Sequence, residues 1–268
     1  MISPVKHQQS GAVSVVMPCF DAEATVARAV ESIAAQELPP LEVIAVDDAS
    51  RDSTAKILAG LSRMSWPFVF RVISLGTNRG PGEARNAGLD SLAPEAEYVA
   101  YQDADDIWLP WKLARQIAWM ERHPECGWTA HRCVVAGPAT TPARREPSAT
   151  PITRHGLLMQ NAVATPAVVA RRSLPARFRA GWRHCEDLML WLDWLDAGHR
   201  GCMLEETMLC LGRRPGAPGG STGDRAAMHR GEQQVLQTLA AEGRLSRGRA
   251  WAWGGFARLR YLARLLRG

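Results

Sequence analysis

Three carboxylates crowd into four consecutive positions, just after an apolar run that predicts a buried strand. Asp103, Asp105 and Asp106 follow the run Tyr98 to Tyr101, with only Gln102 between. Like charges this close repel each other, and a carboxylate near a core loses hydration. Alternate residues of an extended segment point to the same side, so Asp103 and Asp105 can share one cation. Hard oxygen ligands suit Mg²⁺ or Mn²⁺. Because the protein would supply only a few of them, the remaining coordination positions stay open for phosphate oxygens. The pattern therefore indicates a metal–diphosphate site.

The elements that must position these carboxylates alternate between strand and helix. Apolar runs predict strands at Val13 to Met17, Leu41 to Val46, Phe68 to Ile73 and Tyr98 to Tyr101, with helical patterns between them and after the last. This alternation predicts an α/β fold with a mostly parallel, twisted sheet flanked by helices.

Polar clusters follow three of the predicted strands directly. They are Pro18 to Asp21, Asp47-Asp48 and Asp103 to Asp106. In parallel sheets, ligands bind beyond the carboxyl ends of the strands, so all three clusters are expected at one edge. For Asp47-Asp48 alone, helix capping with solvated carboxylates is an equally good interpretation. No phosphate-binding P-loop and no Gly-x-Gly-x-x-Gly turn after the first strand is present.

Composition limits the function classes further. The 268 residues are 46% hydrophobic and 22% charged, with a formal charge of +5. We expect a globular α/β protein without a signal peptide and without a stretch of about 18 apolar residues that could span a membrane. The six cysteines have no Cys-x-x-Cys spacing, which argues against zinc and for a reducing, cytoplasmic compartment. Nucleic acid is not an expected partner.

The second half of the sequence is harder to interpret. The pattern predicts strands at Ala162 to Val169 and Gly201 to Leu211, and a helix at Leu188 to Ala197. The ranges Gly137 to Pro151 and Arg213 to Gly223 are rich in loop-forming residues and predict mobile segments.

Four ordered motifs closely resemble those of family 2 glycosyltransferases, which have the GT-A fold. The motifs are Met17 to Glu23, Val46 to Thr54, Asn78 to Gly88 and Gln102 to Asp106. The resemblance is strong from residue 13 to about 122 and looser to about 220. It implies a Rossmann-like nucleotide-sugar-binding half at 1–122 and an acceptor-binding half with the catalytic base at 123–235. The residues themselves predict a basic amphipathic tail at 236–268.

The resemblance also implies an inverting transfer of a sugar from a nucleoside diphosphate, usually UDP, to a hydroxyl. The acceptor would be a glycan or lipid-linked molecule of cell-envelope polysaccharide synthesis. Two alternatives remain: a transferase that uses a polyprenyl phosphate acceptor, and a nucleotide-sugar-binding protein whose active site has decayed.

Donor-site roles carry over residue by residue. The resemblance implies that Asp105 is the direct ligand of Mn²⁺ or Mg²⁺, and that Asp103 supports the metal site and holds ribose or sugar hydroxyls. The remaining donor-site residues are Pro18 and Phe20 at the nucleotide, Asp48 with Asp47 at the base, and Arg85 and Asn86 beside the donor. The alternative for Arg85-Asn86 is a pair on a helix surface that holds a loop.

The acceptor side would depend on an acid pair at a helix start. The resemblance makes Asp187 the general base and Glu186 a residue that orients or binds the acceptor. The alternative is that the pair merely complements the helix dipole. Trp182 and Trp191 could stack on a sugar, although Trp191 is more typical of a core residue.

One motif departs from the family pattern. Where the family often has a histidine that helps to bind metal or diphosphate, this chain has Arg213 and Arg214. Arginine cannot ligate a metal but can hold a diphosphate. His229 is a further candidate for the third metal contact.

The last 25 residues carry many arginines and no acid from Arg244 to Arg267. On a helix, Phe256, Leu259 and Leu262 lie toward one side, and Arg260 and Arg264 lie toward another. Such a helix could bind an anionic membrane surface peripherally, or it could pack on the domain with its arginines in solvent.

Overall fold

The first half of the chain forms the predicted alternation of strands and helices. The structure is a computed structural model that describes residues 11–135, 147–213, 216–217 and 223–266. Its first elements are β1 (Val13–Cys19), α1 (Val26–Ala34), β2 (Glu42–Asp47), α2 (Thr54–Leu61), β3 (Val69–Ser74), α3 (Pro81–Leu89) and β4 (Tyr98–Tyr101). Strands β1, β2 and β4 are almost wholly buried, because their apolar runs are covered on both faces.

The second half continues the same sheet with shorter and less regular elements. These are β5 (Ile107–Trp108), α4 (Lys112–Arg122), β6 (Cys126–Val135), β7 (Ala149–Ile152), α5 (Arg154–Met159), a 3₁₀ helix (Thr165–Ala167), β8 (Val169–Arg171), α6 (Glu186–Asp196), β9 (Arg200–Leu211), α7 (Arg225–Ala241) and α8 (Arg247–Leu266).

In the part of the chain that the structure describes, nine strands form one mixed sheet in the order β3-β2-β1-β4-β8-β6-β9-β5, with β7 paired to β9. Strands β3, β2, β1 and β4 are parallel, and β8 joins β4 in the antiparallel direction. Strand β6 is antiparallel to β8 and parallel to β9. The GT-A fold predicted from the sequence is therefore confirmed, and one sheet runs through both predicted halves.

Tryptophans fill the core on the side of the sheet that carries α6. The ring centroids of Trp128 and Trp191 lie 5.3 Å apart, and those of Trp191 and Trp194 lie 4.9 Å apart. All three side chains are fully buried. Buried aromatic rings contribute more apolar area than any other side chain, so this cluster anchors α6, whose first turn carries the predicted acid pair.

Several predictions for the second half are wrong in detail. Residues 162–169 form a 3₁₀ helix and only the start of β8, because Pro166 cannot donate to a sheet. Strand β6 was not predicted, and the predicted loop ending at Pro151 contains most of β7. Helix α7 passes through the predicted boundary at residue 235. Arg214 and residues 136–146 lie outside the described residues.

The faces of α8 also differ from the predicted division. Arg260 was predicted to lie on the solvated face, but it packs toward α7 and forms a 2.7 Å ion pair with Glu232. Trp253 and Ala257 share this inward side, whereas Trp251 and Leu259 are exposed. No described helix is long and apolar enough to cross a membrane.

Candidate active site

The three polar clusters meet at one edge of the sheet. Cys19 at the end of β1 is paired in register with Asp47 at the end of β2. The Cys19 thiol is buried, and its pKa is raised first by burial and then by the nearby charges of Asp47 and Asp103. Asp47 and Asp103 follow two other strands, and both are close enough to the Cys19 thiol to raise its pKa. The polar residues at the ends of β1, β2 and β4 therefore lie close together.

The loops after β1 and β2 are bonded to each other. The Asp21 carboxylate accepts a hydrogen bond from the backbone N–H of Arg51 at 2.7 Å and pairs with the Arg51 guanidinium at 2.9 Å. Phe20 lies beneath the same guanidinium, 5.2 Å from its centre, and is 40% exposed. The predicted nucleotide-contacting turn at Pro18 and Phe20 is therefore held open to solvent at the sheet edge.

Asp47 and Asp48 both bond the backbone of neighbouring loops. The two carboxylate oxygens of Asp48 accept hydrogen bonds from the N–H groups of Arg79 and Gly80, each at 2.8 Å. Asp47 accepts from the N–H of Ser50 at 3.2 Å. Both side chains are buried. Asp48 fixes the loop between β3 and α3, Asp47 fixes the turn after β2, and their contact with a nucleotide base remains a prediction.

Burial and repulsion from neighbouring carboxylates raise the pKa values of two aspartates after β4, Asp105 and Asp106. The pKa of Asp105 is raised by burial and by Asp103, and burial and Asp103 raise the pKa of Asp106 to about 8. Asp106 was not assigned a role from the sequence. Its carboxylate accepts a 2.8 Å hydrogen bond from the N–H of Gly212, which ties the end of β9 to this loop.

The side chains of Asp103 and Asp105 fit a divalent cation held jointly with a diphosphate. Their oxygens are the hard ligands that Mg²⁺ and Mn²⁺ prefer, and a cation would relieve the repulsion between them. Among the described residues, no group of three or more His, Cys, Asp or Glu side chains could complete a metal site. Substrate phosphate oxygens and water would therefore have to supply the other positions.

Arg213 lies beside Asp105, and the ring of His229 packs between the last two helices. The Arg213 Nε atom is 3.7 Å from a carboxylate oxygen of Asp105. His229 stacks on Tyr261 between α7 and α8, with ring centroids 4.7 Å apart. The position of Arg213 is compatible with the predicted contact to a diphosphate, and both candidates for the departure from the family motif remain predictions.

Arg85 and Asn86 connect the donor side to the acceptor side. The Arg85 guanidinium is buried, and it pairs with Asp103 at 2.8 Å and with Glu186 at 3.1 Å. The Asn86 side chain donates to the carbonyl of Phe178 at 2.8 Å and accepts from its N–H at 2.9 Å. The structure thus places these two residues in buried contacts across the two halves, and a direct contact with the donor remains a prediction.

The acid pair lies in the first turn of α6. Glu186 is buried against Arg85, and Asp187 accepts 3.4 Å hydrogen bonds from the side chains of Asn161 and Thr165. Burial and the adjacent Glu186 charge raise the pKa of Asp187 to about 7. A carboxylate that is half protonated near neutral pH is well suited to accept a proton. Asn161 and Thr165 had no sequence signal, because they lie more than 20 positions away.

Three residues with a strained backbone lie in the predicted site segments. Within the described residues, the non-glycine residues with positive φ are Asp21 (47°), Ala49 (58°) and Cys185 (59°). Each belongs to one of the predicted site segments: the loop after β1, the loop after β2 and the start of α6. Left-handed conformations cost of order 1–3 kcal/mol, and they cluster at functional sites.

A cavity of about 760 Å³ opens beside Asp187. Its walls come from α5, the segment before the 3₁₀ helix, α6, α7 and α8. The lining is largely apolar and includes Leu157, Leu158, Val163, Leu188, Met228, Val235, Leu236, Trp253 and Ala257. The predicted sugar-stacking residues Trp182 and Trp191 are buried in the core.

A parallel sheet with carboxylates at its carboxyl edge, extended by mixed strands and covered by a helix that begins with an acid pair, is the arrangement of the GT-A fold. The family model "Glycosyl transferase family 2" matches residues 14–173. The chain is 31% identical over 206 residues to the putative glycosyltransferase EpsE of Bacillus subtilis, a match that spans 73% of this chain and 71% of that protein. The chain belongs to glycosyl transferase family 2.

Other relatives match over shorter regions. The succinoglycan biosynthesis protein ExoO of Rhizobium meliloti is 41% identical over 105 residues, which are 39% of this chain and 28% of that protein. The chain therefore matches less than a third of the length of ExoO.

Solved structures confirm the fold. S. aureus TarS 1-349 in complex with UDP-GlcNAc superposes with a TM-score of 0.66 at 20% identity, over 85% of this chain and 66% of that chain. The mannosyltransferase PcManGT from Pyrobaculum calidifontis, in complex with GDP-Man and Mn²⁺, superposes with a TM-score of 0.65 at 18% identity. The match covers 97% of this chain and 77% of that chain.

Proposed function

We propose that this glycosyltransferase moves a sugar from a nucleoside-diphosphate-sugar donor to a hydroxyl group and inverts the anomeric configuration. The nucleotide is UDP, as is usual in the family. The observation that carries the proposal is the position of Asp187. Its carboxylate has a pKa of about 7 and borders a ligand-sized cavity, and the charge of Asp103 on the other side of Arg85 contributes to raising that pKa. A general base is therefore held next to the predicted donor site, on a rigid helix.

The proposed reaction is a single displacement. The Asp187 carboxylate takes the proton of the acceptor hydroxyl while that oxygen forms a bond to the anomeric carbon. The bond from this carbon to the donor's phosphate oxygen breaks, and its electron pair leaves with the nucleoside diphosphate. Attack and departure on opposite faces invert the configuration.

The leaving diphosphate gains charge during this step, and the chain has groups that would stabilise it. Asp105 and Asp103 would hold Mn²⁺ or Mg²⁺, which when bound supplies positive charge to the diphosphate. Arg213, 3.7 Å from Asp105, is placed to hold a phosphate oxygen directly. Removing one such group commonly lowers the rate about 10²–10³-fold.

Of the two enzyme alternatives, a hydroxyl acceptor fits better than a polyprenyl phosphate. A phosphate oxygen is already anionic at neutral pH and needs no base. The raised pKa of Asp187 and its hydrogen bonds from Asn161 and Thr165 would then have no purpose. The same groups argue against a decayed site that only binds nucleotide sugars.

The biological setting is proposed from the relatives. The names of ExoO and of the Bacillus subtilis protein TuaG refer to succinoglycan and teichuronic acid biosynthesis. We place this chain in cell-envelope polysaccharide synthesis in the cytoplasm, bound to the cytosolic face of the membrane through α8. The exposed apolar side chains of Trp251, Leu259 and Leu262 support this placement.

A donor screen tests the reaction. The protein is incubated with UDP- and GDP-sugars, with Mn²⁺, Mg²⁺ or EDTA, and release of nucleoside diphosphate is measured. We expect metal-dependent release from one donor or a few, and its loss in Asp105→Ala. A protein that binds a nucleotide sugar but never releases the diphosphate, with any acceptor glycoside, would instead be a binding protein.

A further inference from the structure

Two cysteine sulfurs lie close together between β6 and β9. The Sγ atom of Cys126, at the start of β6, is 2.8 Å from the Sγ atom of Cys202, near the start of β9. Both are free thiols on neighbouring parallel strands, whose register shifts just after Cys126. Because the sulfurs of a disulfide lie about 2.05 Å apart, the two thiols need to approach by less than about 1 Å to become bonded.

The two thiols differ in exposure and in acidity. Cys126 is fully buried, whereas Cys202 is only partly buried. The hydrogen bond from the Cys126 thiol lowers the pKa of Cys202 and outweighs the opposing effect of burial, while Glu125 raises this pKa and His123 lowers it. The same hydrogen bond and burial raise the pKa of Cys126. Cys202 is therefore the sulfur that an oxidant can reach as a thiolate, and Cys126 is a protonated thiol behind it.

The other four cysteines lack this combination. Burial raises the pKa of each of them: Cys19, Cys133, Cys185 and Cys210. Cys133 and Cys210 lie on the same two strands as the close pair. However, Cys210 is paired in register with Val134, the residue after Cys133, so the side chains of Cys133 and Cys210 point to opposite faces of the sheet. These two cysteines therefore serve as internal controls.

We propose that Cys126 and Cys202 are a modification site at which a peroxide forms a reversible intramolecular disulfide. The Cys202 sulfur attacks one oxygen of hydrogen peroxide, the O–O bond breaks, and the other oxygen leaves as hydroxide, which takes up a proton to become water. The Cys126 thiol then loses its proton, and its sulfur attacks the sulfur of the resulting sulfenic acid. The S–O bond breaks and a second water leaves, so the two thiols lose the two electrons that the peroxide gains.

This site lies away from the predicted catalytic residues. Strand β6 has the same direction as β4, because both are antiparallel to β8. The starts of β6 and β9 are therefore at the sheet edge opposite to the carboxyl edge that carries Asp103 and Asp105. Disulfides in a reducing compartment are usually transient, so the pair is reduced at rest and oxidised during exposure to peroxide. A dithiol restores both thiols by exchange.

Thiol counting and peptide mapping test the disulfide in the intact protein. Reduced protein is freed of reductant and treated with a small molar excess of hydrogen peroxide, and its thiols are counted with Ellman's reagent after denaturation. We expect the count to fall by two and to recover with dithiothreitol. After the remaining thiols are blocked with iodoacetamide, trypsin should release the peptides 123–132 and 201–213 linked to each other. An unchanged count, a loss that dithiothreitol does not reverse, or a bond between two copies of the chain overturns the proposal.

Single serine variants assign the two roles. In Cys126→Ser, Cys202 should still be oxidised but should stop at the sulfenic acid, which dimedone traps. In Cys202→Ser, no disulfide should form, and thiols should be lost at least about 10-fold more slowly than in the wild type. Cys133→Ser and Cys210→Ser are the matched controls on the same strands, and both should form the disulfide at the wild-type rate. Cys210→Ser also leaves Cys202 as the one cysteine of peptide 201–213.

A second variant of the buried partner guards against a folding defect. Cys126→Ala places no hydroxyl in the core, and thermal melts followed by circular dichroism show whether each variant is folded. We expect folded Cys126→Ala to form no disulfide and to react with dimedone as Cys126→Ser does. A disulfide that persists without Cys126 or Cys202, or one that requires Cys133 or Cys210, contradicts the assignment.

Discussion

Asp187 combines two properties that a general base needs: a raised pKa and fixed hydrogen-bond partners. Burial and Glu186 raise its pKa to about 7, and Asn161 and Thr165 orient one of its oxygens. Because its acid form predominates below pH 7, we expect kcat/KM to fall as the pH decreases below about 7.

Asp187→Asn tests this role at a single atom. The amide keeps the shape but accepts no proton, so transfer should fall about 10²–10⁴-fold while donor binding stays near that of the wild type. The acid limb of the pH–rate profile should also disappear from the remaining activity. Transfer within twofold of the wild-type rate would exclude Asp187 as the base.

Glu186→Gln tests the cause of the raised pKa. Removal of the neighbouring negative charge should lower the pKa of Asp187, because less repulsion then opposes its ionisation. The acid limb of kcat/KM should therefore move to lower pH in a pH–rate profile. An unchanged or upward-shifted limb would show that Glu186 does not control the base.

Asp105→Ala addresses the predicted metal ligand. The Asp105 side chain is 37% exposed, whereas the Asp106 carboxylate is buried and accepts a hydrogen bond from the N–H of Gly212. The variant should keep its fold and lose the dependence of nucleotide binding on Mn²⁺ or Mg²⁺ in calorimetry. Nucleotide binding with unchanged metal dependence would contradict the assignment.

At the scale of elements, the contact between α3 and α6 joins the donor and acceptor sides. Arg85 on α3 pairs with Glu186 on α6 and with Asp103 after β4. Gly82 permits the approach, since a Cβ there would lie 3.1 Å from the Glu186 side chain and 3.2 Å from Phe178. Asp103 on the predicted donor side and Glu186 on the predicted acceptor side are thus linked through one buried guanidinium.

Arg85→Met should break this network. It leaves two carboxylates next to each other without their cation, and loss of one partner of a buried pair costs about 3–5 kcal/mol of unfolding free energy. Arg177→Met is the matched control, because the Arg177–Asp90 pair is about 60% exposed and should contribute less than about 1 kcal/mol. Chemical denaturation measures both, and equal losses would show that the buried network adds nothing.

The sequence predicted the donor side far better than the acceptor side, for a physical reason. Parallel strands with apolar runs place their ends at one edge, so the aspartates near β1, β2 and β4 could be located from the pattern alone. The acceptor side depends on contacts between distant segments, such as Asn161 with Asp187. The periodicity of a local stretch of sequence does not indicate which distant residues pair, and the 3₁₀ helix before β8 is too short to have a periodic pattern.

At the scale of the whole molecule, α8 packs on the domain and still exposes an apolar row. Arg260 forms an ion pair with Glu232, whereas three other arginines of the helix are exposed: Arg247, Arg249 and Arg258. The inward face of α8 is therefore structural, and membrane binding through its outward face remains a prediction. Removal of residues 244–268 would be a poor test, because Arg244 also pairs with Asp193 on α6.

Point variants of the outward face therefore test membrane binding. Leu259→Glu with Leu262→Glu should abolish co-sedimentation with anionic phospholipid vesicles, because two charges replace apolar side chains at the interface.

Replacing Arg247, Arg249 and Arg258 by glutamine should weaken binding about 100-fold, at about 1 kcal/mol for each arginine, and remove most of its salt dependence. Met64→Glu with Val69→Glu, at exposed positions outside α8, is the control and should bind like the wild type. An intact protein that stays in the supernatant at low salt would contradict membrane binding through the outward row of α8.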